Sequence, residues 1–94
     1  MTMNRQDFLV VSGLEATTLD IWVEQRWIIP GNSEQGAAFQ DRDVARARLI
    51  QDLRGDMGVN DPGVDVILHL MDQLHGLRRA IKELHGAKET PEQR

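Results

Sequence analysis

The side chains best suited to acid–base or metal chemistry in this 94-residue chain are three histidines, since there is no cysteine. His69 lies four residues after Asp65 and three before Asp72, which places these side chains on one face of a helix. Metal sites of this composition usually take ligands from several elements, and a stripe on one helix is more typical of a solvated face. His75 and His85 stand alone. We therefore expect no catalytic, cofactor-binding or metal-binding residue.

A long helix over residues 61–86 must position these histidines. Asp61 is predicted to cap its free N–H groups, Pro62 suits the first turn and Gly86 is the predicted stop. About 23 residues at about 1.5 Å each give a rod of roughly 35 Å, longer than a domain this small can cover by itself. Apolar residues recur along it at the steps of three and four that are typical of a coiled-coil seam. The predicted dimer-interface residues are Ile67, Leu70, Leu74, Leu77, Ile81 and Leu84.

The two halves of this helix differ in the width of the apolar stripe. Val64, Leu68 and Met71 widen it in the first half, which is predicted to complete the chain's own core. From Leu74 to Leu84 only the narrow seam remains. It favours a homodimer; the alternative is that the seam folds back on the same chain.

The residues before this helix predict a small helical body at 4–58. Helices are expected at 5–12, with Asn4 as the cap, and at 16–25, joined by a turn at Gly13. This order is a helix-turn-helix pattern, in which the second helix would be the reading helix. The predicted core of this half consists of its aromatic residues together with apolar neighbours in the first helix. These residues are Phe8, Trp22, Trp27 and Phe39, with Leu9 and Val11.

A turn-rich segment separates the second and third helices. Trp27-Ile28-Ile29-Pro30 and Ala37-Ala38-Phe39 read as brief extended pieces around a polar turn, which predicts a small β-wing. The alternative is an irregular loop held at its ends by Trp27 and Phe39. Asp41 then opens a third helix that runs to about Gly55. The tail at 87–94 has no apolar anchor and is predicted to be disordered.

Composition narrows the class of protein. The net charge is −4, and no stretch approaches the ~20 apolar residues of a membrane span. Because no signal segment follows Met1, a cytoplasmic location is expected. One small domain of marginal stability is expected, to which dimerisation would add stability.

Four segments stand in a familiar order along the chain: Trp27-Ile28-Ile29-Pro30, Phe39-Gln40-Asp41, Asp61-Pro62-Gly63-Val64 and Leu68-His69-Leu70-Met71-Asp72. With the helix-turn-helix before them, they resemble the MerR-like winged helix-turn-helix family, and within it the CbpM chaperone-modulator branch. The resemblance spans residues 7–84 and departs from the family at Arg26, where glycine is frequent. It implies a mostly α fold, in which a MerR-like winged helix-turn-helix body is followed by a long C-terminal dimerisation helix.

The resemblance implies a non-enzymatic protein that binds the J-domain of a CbpA/DnaJ-type co-chaperone and inhibits its cooperation with DnaK. J-domains of this type present a basic second helix. We therefore expect acidic residues of the reading helix, Asp20 and Glu24, to contribute to binding. No cofactor comes with this function.

The competing interpretation is a MerR-like DNA-binding transcription regulator. Its contacts would come from Thr17, Thr18, Arg42 and Arg46. DNA affinity depends on Lys and Arg, and the reading helix at 16–25 has neither. The wing, from Pro30 to Phe39, also has none. Nucleic acid is therefore not the expected partner.

Overall fold

The computed structural model describes residues 2–88, which are mostly helical. Four helices lie in that range, and the fourth is the longest. This confirms the predicted fold class and the order of the elements. The helices are α1 (Arg5–Ser12), α2 (Ala16–Glu24), α3 (Asp41–Arg54) and α4 (Asp61–Lys88), and the strands are β1 (Thr2–Met3), β2 (Gly31–Ser33) and β3 (Gly36–Gln40).

Local capping interactions set the limits of α1. The Asn4 side-chain oxygen accepts a hydrogen bond from the Asp7 N–H at 2.8 Å, which confirms the predicted cap. At the other end Gly13 has a φ of 76°, and its N–H donates to the carbonyl of Leu9. A residue with a side chain would be strained in this left-handed conformation, so glycine suits the turn that leads to α2.

The predicted wing is present as a hairpin, which excludes the irregular-loop alternative. Strands β2 and β3 pair antiparallel, with Ser33 opposite Gly36 across the turn. The strand order is β1-β3-β2, so β1, which the sequence did not predict, covers the far edge of β3. The first predicted extended piece is wrong, because the strand begins at Gly31 and not at Trp27.

The aromatic residues form the core of the first half, as predicted. Phe8 stacks on Phe39 with ring centroids 4.4 Å apart, and Trp22 and Trp27 are also buried. Ala47, Ile50 and Leu53 of α3 are buried as well. Val11 is the exception in α1, because its side chain is 54% exposed.

A capping box that the sequence did not predict starts α3. Gln40 is the N-cap residue, and its backbone N–H donates to the buried carboxylate of Asp43 at 2.8 Å. The Gln40 side chain in turn accepts from the Asp43 backbone. Asp41 is the first residue of the helix, as predicted, but does not cap it.

The predicted cap of α4 is wrong by one residue. The Asn60 side-chain oxygen accepts the hydrogen bond from the Gly63 N–H at 2.9 Å, whereas Asp61 pairs with Arg54. A Cβ at Gly63 would lie 2.7 Å from the Val59 side chain. The start of α4 therefore needs glycine at this position for close packing.

The chain divides into two compact units, one up to Val64 and the other from Asp65 onward. In the second unit Leu68 is 2% exposed, and Ile67 and Met71 are half-buried. The predicted division of α4 into a core half and a dimer half stays a prediction. The helix continues through Gly86 to Lys88, so the predicted glycine stop is wrong. The predicted disorder of the tail at 87–94 is wrong for residues 87 and 88, because they belong to α4. Residues 89–94 lie outside the described residues.

Candidate functional site

The exposed side of α2 is the part of the helix-turn-helix that a partner can reach. Leu19 and Trp22 face the core, while Thr18 and Val23 are half-buried. We call the opposite, exposed side the α2 face. Its central apolar residue is Ile21, which is 51% exposed. The α2 face consists of Ala16, Thr17, Asp20, Ile21 and Glu24.

An ion pair joins the α2 face to α1. The Arg5 guanidinium donates to the Asp20 carboxylate at 2.6 Å, and both side chains are exposed. Glu24 has no such ion pair within residues 2–88. Of the two acids predicted to bind a partner, Glu24 is thus the one that forms no ion pair with another described residue. The sequence did not predict this pair, since 15 residues separate its members.

The arginines near the helix-turn-helix are divided between internal contacts and solvent. Arg46 is half-buried, and its Nε donates to the backbone carbonyl of Trp27. Arg54 pairs with Asp61 at 3.0 Å. Arg54 is itself exposed, as are Arg42 and Arg48, which also lie on α3.

The four DNA-contact residues predicted under the competing interpretation differ in how exposed they are in the structure. Thr17 is exposed on the α2 face, whereas Thr18 is half-buried. Arg42 is exposed, but Arg46 is turned toward Trp27. The four residues therefore do not form a single exposed surface, and one of them has a clear role inside the fold.

The wing adds no positive charge. Its hairpin runs from Gly31 to Gln40, contains no lysine or arginine, and has Glu34 in its turn. The Ser33 hydroxyl donates to the Gly36 carbonyl and accepts from the Gln35 N–H, which fixes the turn. A wing of this charge is a poor match for phosphate groups.

The C-terminal end of α2 is a Schellman motif built around a residue that is not glycine. The Trp27 N–H donates to the Trp22 carbonyl at 2.9 Å, and the Arg26 N–H donates to the Val23 carbonyl at 3.1 Å. Arg26 takes the left-handed conformation, with a φ of 66°. Position 26, where the sequence has arginine although glycine is frequent in the family that it resembles, is thus the one non-glycine position with a positive φ among the described residues.

The predicted dimer seam is exposed along most of its length. Leu77 is 61% exposed, and Ile67, at the start of the seam, is half-buried. A continuous apolar stripe of this kind on a charged chain is typical of a protein interface. The exposed members of the seam are Leu70, Leu74, Leu77, Ile81 and Leu84.

The histidine stripe has no arrangement suited to a metal in the part of the chain that is described. His69 Nε2 lies 3.4 Å from the Gln73 amide nitrogen, one turn along α4. Within residues 2–88 no group of three or more His, Asp and Glu side chains could hold an ion. None of the helices in that range is long and apolar enough to cross a membrane.

Comparison with known proteins gives one family match. The family described as MerR HTH family regulatory protein matches residues 3–86. This range takes in all of the described helices except the last two residues of α4. No significant match is found among curated proteins or among solved structures.

Proposed function

The chain belongs to the MerR HTH family of regulatory proteins, and we propose that it acts there as a non-enzymatic chaperone modulator. It binds the J-domain of a CbpA/DnaJ-type co-chaperone and inhibits the cooperation of that protein with DnaK. This proposal rests on the α2 face, the surface with which a helix-turn-helix protein would otherwise read DNA.

The composition of the α2 face is the observation that supports a protein partner. It places an exposed isoleucine between two carboxylates and contains no lysine or arginine. DNA binding needs cations to neutralise phosphates, whereas protein interfaces combine an apolar centre with charged neighbours. The α2 face has the second composition.

Charge complementarity indicates which kind of protein fits. A basic helix, such as the second helix of a J-domain, would be attracted by Glu24 and could cover Ile21. Long-range attraction of this kind mainly raises the association rate and is weakened by salt. Because Asp20 is paired with Arg5 and Glu24 forms no ion pair within the described residues, we expect Glu24 to contribute more of the attraction.

The test compares two charge reversals by titration with a purified DnaJ-type J-domain at low and high salt. Glu24→Lys is expected to weaken binding about tenfold at low salt and to reduce the dependence on salt. Asp56→Lys, an equal charge change at an exposed loop position that is not part of the α2 face, is the matched control and should stay within about twofold. Equal binding by the two variants would contradict the proposed surface.

The alternative is a MerR-like DNA-binding transcription regulator, and the exposed Thr17 and Arg42 favour it. A DNA shift at low and at physiological salt, run beside the J-domain titration, separates the two functions. Tight DNA binding at physiological salt without J-domain binding would reverse the assignment.

We also propose that the protein is a homodimer through the seam of α4. The seam residues pair off around the point between His75 and Gly76: Ile67 and Leu84, Leu70 and Ile81, and Leu74 and Leu77 are each equidistant from it. An antiparallel copy centred there would set every seam residue opposite another seam residue. Such a pairing has the twofold symmetry of most dimers.

The charges along α4 favour the same orientation. Asp65 and Asp72 precede the midpoint, whereas Arg78, Arg79 and Lys82 follow it with the single acid Glu83. An antiparallel pair brings the acidic half of one helix beside the basic half of the other. A parallel pair would place like charges together, which is unfavourable.

A further inference from the structure

Arg26 carries a conformational cost that its contacts within the fold do not explain. Left-handed backbone is unfavourable for residues with a Cβ, and the C′ position of a Schellman motif is usually glycine. The Arg26 side chain is exposed, and no described residue forms an ion pair or hydrogen bond with its guanidinium. The backbone hydrogen bonds of the motif would be kept by glycine at this position.

The surroundings of Arg26 make its charge unusual. It is exposed and follows Glu24 by two residues, so a cation comes directly after the acidic residues of the α2 face along the chain. A phosphate backbone would meet Glu24 next to this arginine and be repelled. A protein that presents a carboxylate beside a basic helix would instead match both charges.

We infer that Arg26 is a specificity-determining residue of the partner interface and binds a carboxylate side chain of the J-domain, next to the basic helix that faces Glu24. This inference rests on the proposed function. A guanidinium can form two parallel hydrogen bonds to a carboxylate, and such a pair fixes orientation as well as adding affinity. Opposite charges in a fixed order also disfavour partners that are basic throughout.

If the positive charge of Arg26 served to stabilise the end of α2, the effect of its replacement on the melting temperature would be different. A cation near a helix C-terminus interacts favourably with the exposed carbonyl groups. If this were the reason for the arginine, its replacement would lower the melting temperature, and binding would fall only as folding is lost.

The experiment measures melting temperature and J-domain affinity on the same full-chain variants. Arg26→Gly is expected to raise the melting temperature by about 4 °C, since the left-handed strain is removed. The same variant should weaken J-domain binding about tenfold. Arg26→Lys, which keeps the charge and the strain, should melt like the unchanged protein and bind with intermediate affinity, and Arg26→Glu should bind more weakly than Arg26→Gly.

The outcomes separate this inference from the proposed function. Unchanged affinity of Arg26→Gly, with Glu24→Lys weakened, would overturn the role of Arg26 alone. A lower melting temperature together with weaker binding would assign Arg26 to folding and also overturn it. Failure of the unchanged protein to bind the J-domain would overturn both.

Discussion

Trp27 folds back onto Trp22 across the end of α2. Its N–H donates to the Trp22 carbonyl at 2.9 Å, and the two indole rings lie with centroids 6.0 Å apart. This is the apolar contact that accompanies a Schellman motif, here between its C″ and C3 residues. The contact fixes the direction in which the chain leaves α2 toward the wing, so helix end and core packing depend on the same two side chains.

Replacement of Trp27 should therefore be among the most destabilising changes in the chain. Trp27→Ala is expected to lower the free energy of unfolding by about 3–5 kcal/mol, because it removes a buried ring. Ile29→Ala, whose side chain is 59% exposed, is the control and should change it by no more than about 0.5 kcal/mol. Urea unfolding followed by circular dichroism measures both. Similar costs for the two variants would contradict the packing described for Trp27.

Much of the fold could be predicted because it depends on local patterns. The helix at 5–12 and the start of α3 at Asp41 follow from caps and apolar periodicity over a few residues. The aromatic core was predictable for the same reason. The contacts that were missed join distant positions: Arg5 with Asp20, Arg46 with Trp27, and β1 with β3. No spacing rule within one element indicates such pairs. The first two determine which charged side chains near the candidate site already have a partner within the fold.

The start of α4 tests the corrected cap. Asn60→Ala is expected to cost about 1 kcal/mol, because the Gly63 N–H loses its acceptor. Asn60→Asp keeps an acceptor and should cost much less. Asp61→Ala removes an exposed pair with Arg54, worth at most about 1 kcal/mol.

Urea unfolding at low and at high salt distinguishes the contribution of the Asn60 cap from that of the Asp61–Arg54 ion pair. The effect of Asp61→Ala should shrink at high salt, because ions screen exposed charges, whereas that of Asn60→Ala should persist. The capping role would belong to Asp61 and not to Asn60 if the loss in free energy of unfolding caused by Asn60→Ala disappeared at high salt. The same would follow if that loss were smaller than the loss caused by Asp61→Ala at every salt concentration.

Arg46 and Arg48 lie two residues apart on α3 and should respond differently to truncation. Arg46 donates to the Trp27 carbonyl, so Arg46→Ala is expected to cost about 1.5–3 kcal/mol, the range for hydrogen bonds with a charged partner. Arg48 is exposed, and Arg48→Ala should change stability by no more than about 0.5 kcal/mol. Thermal melts of the two variants provide the measurement. Equal melting temperatures would mean that Arg46 does not hold Trp27 in solution.

The homodimer is tested by placing a charge in the seam. Leu77→Glu is expected to convert the dimer to a monomer, since the charge would be buried against the partner helix. Val10→Glu is the control because Val10, on α1, is also apolar and exposed. Light scattering after size exclusion gives the mass of each. A monomeric unchanged protein at micromolar concentration would contradict the proposed dimer.

Single cysteines can then distinguish the orientation of the two α4 helices, since the natural chain has none. Ile67 and Leu84 are 17 residues apart in the sequence, about 26 Å along a helix. A disulfide needs Cα atoms within about 7 Å. In the antiparallel dimer, Ile67→Cys mixed with Leu84→Cys should form a crosslinked heterodimer on oxidation, while each variant alone should not crosslink. In a parallel dimer each variant would crosslink with itself, because identical positions would face each other, so efficient self-crosslinking would exclude the antiparallel arrangement.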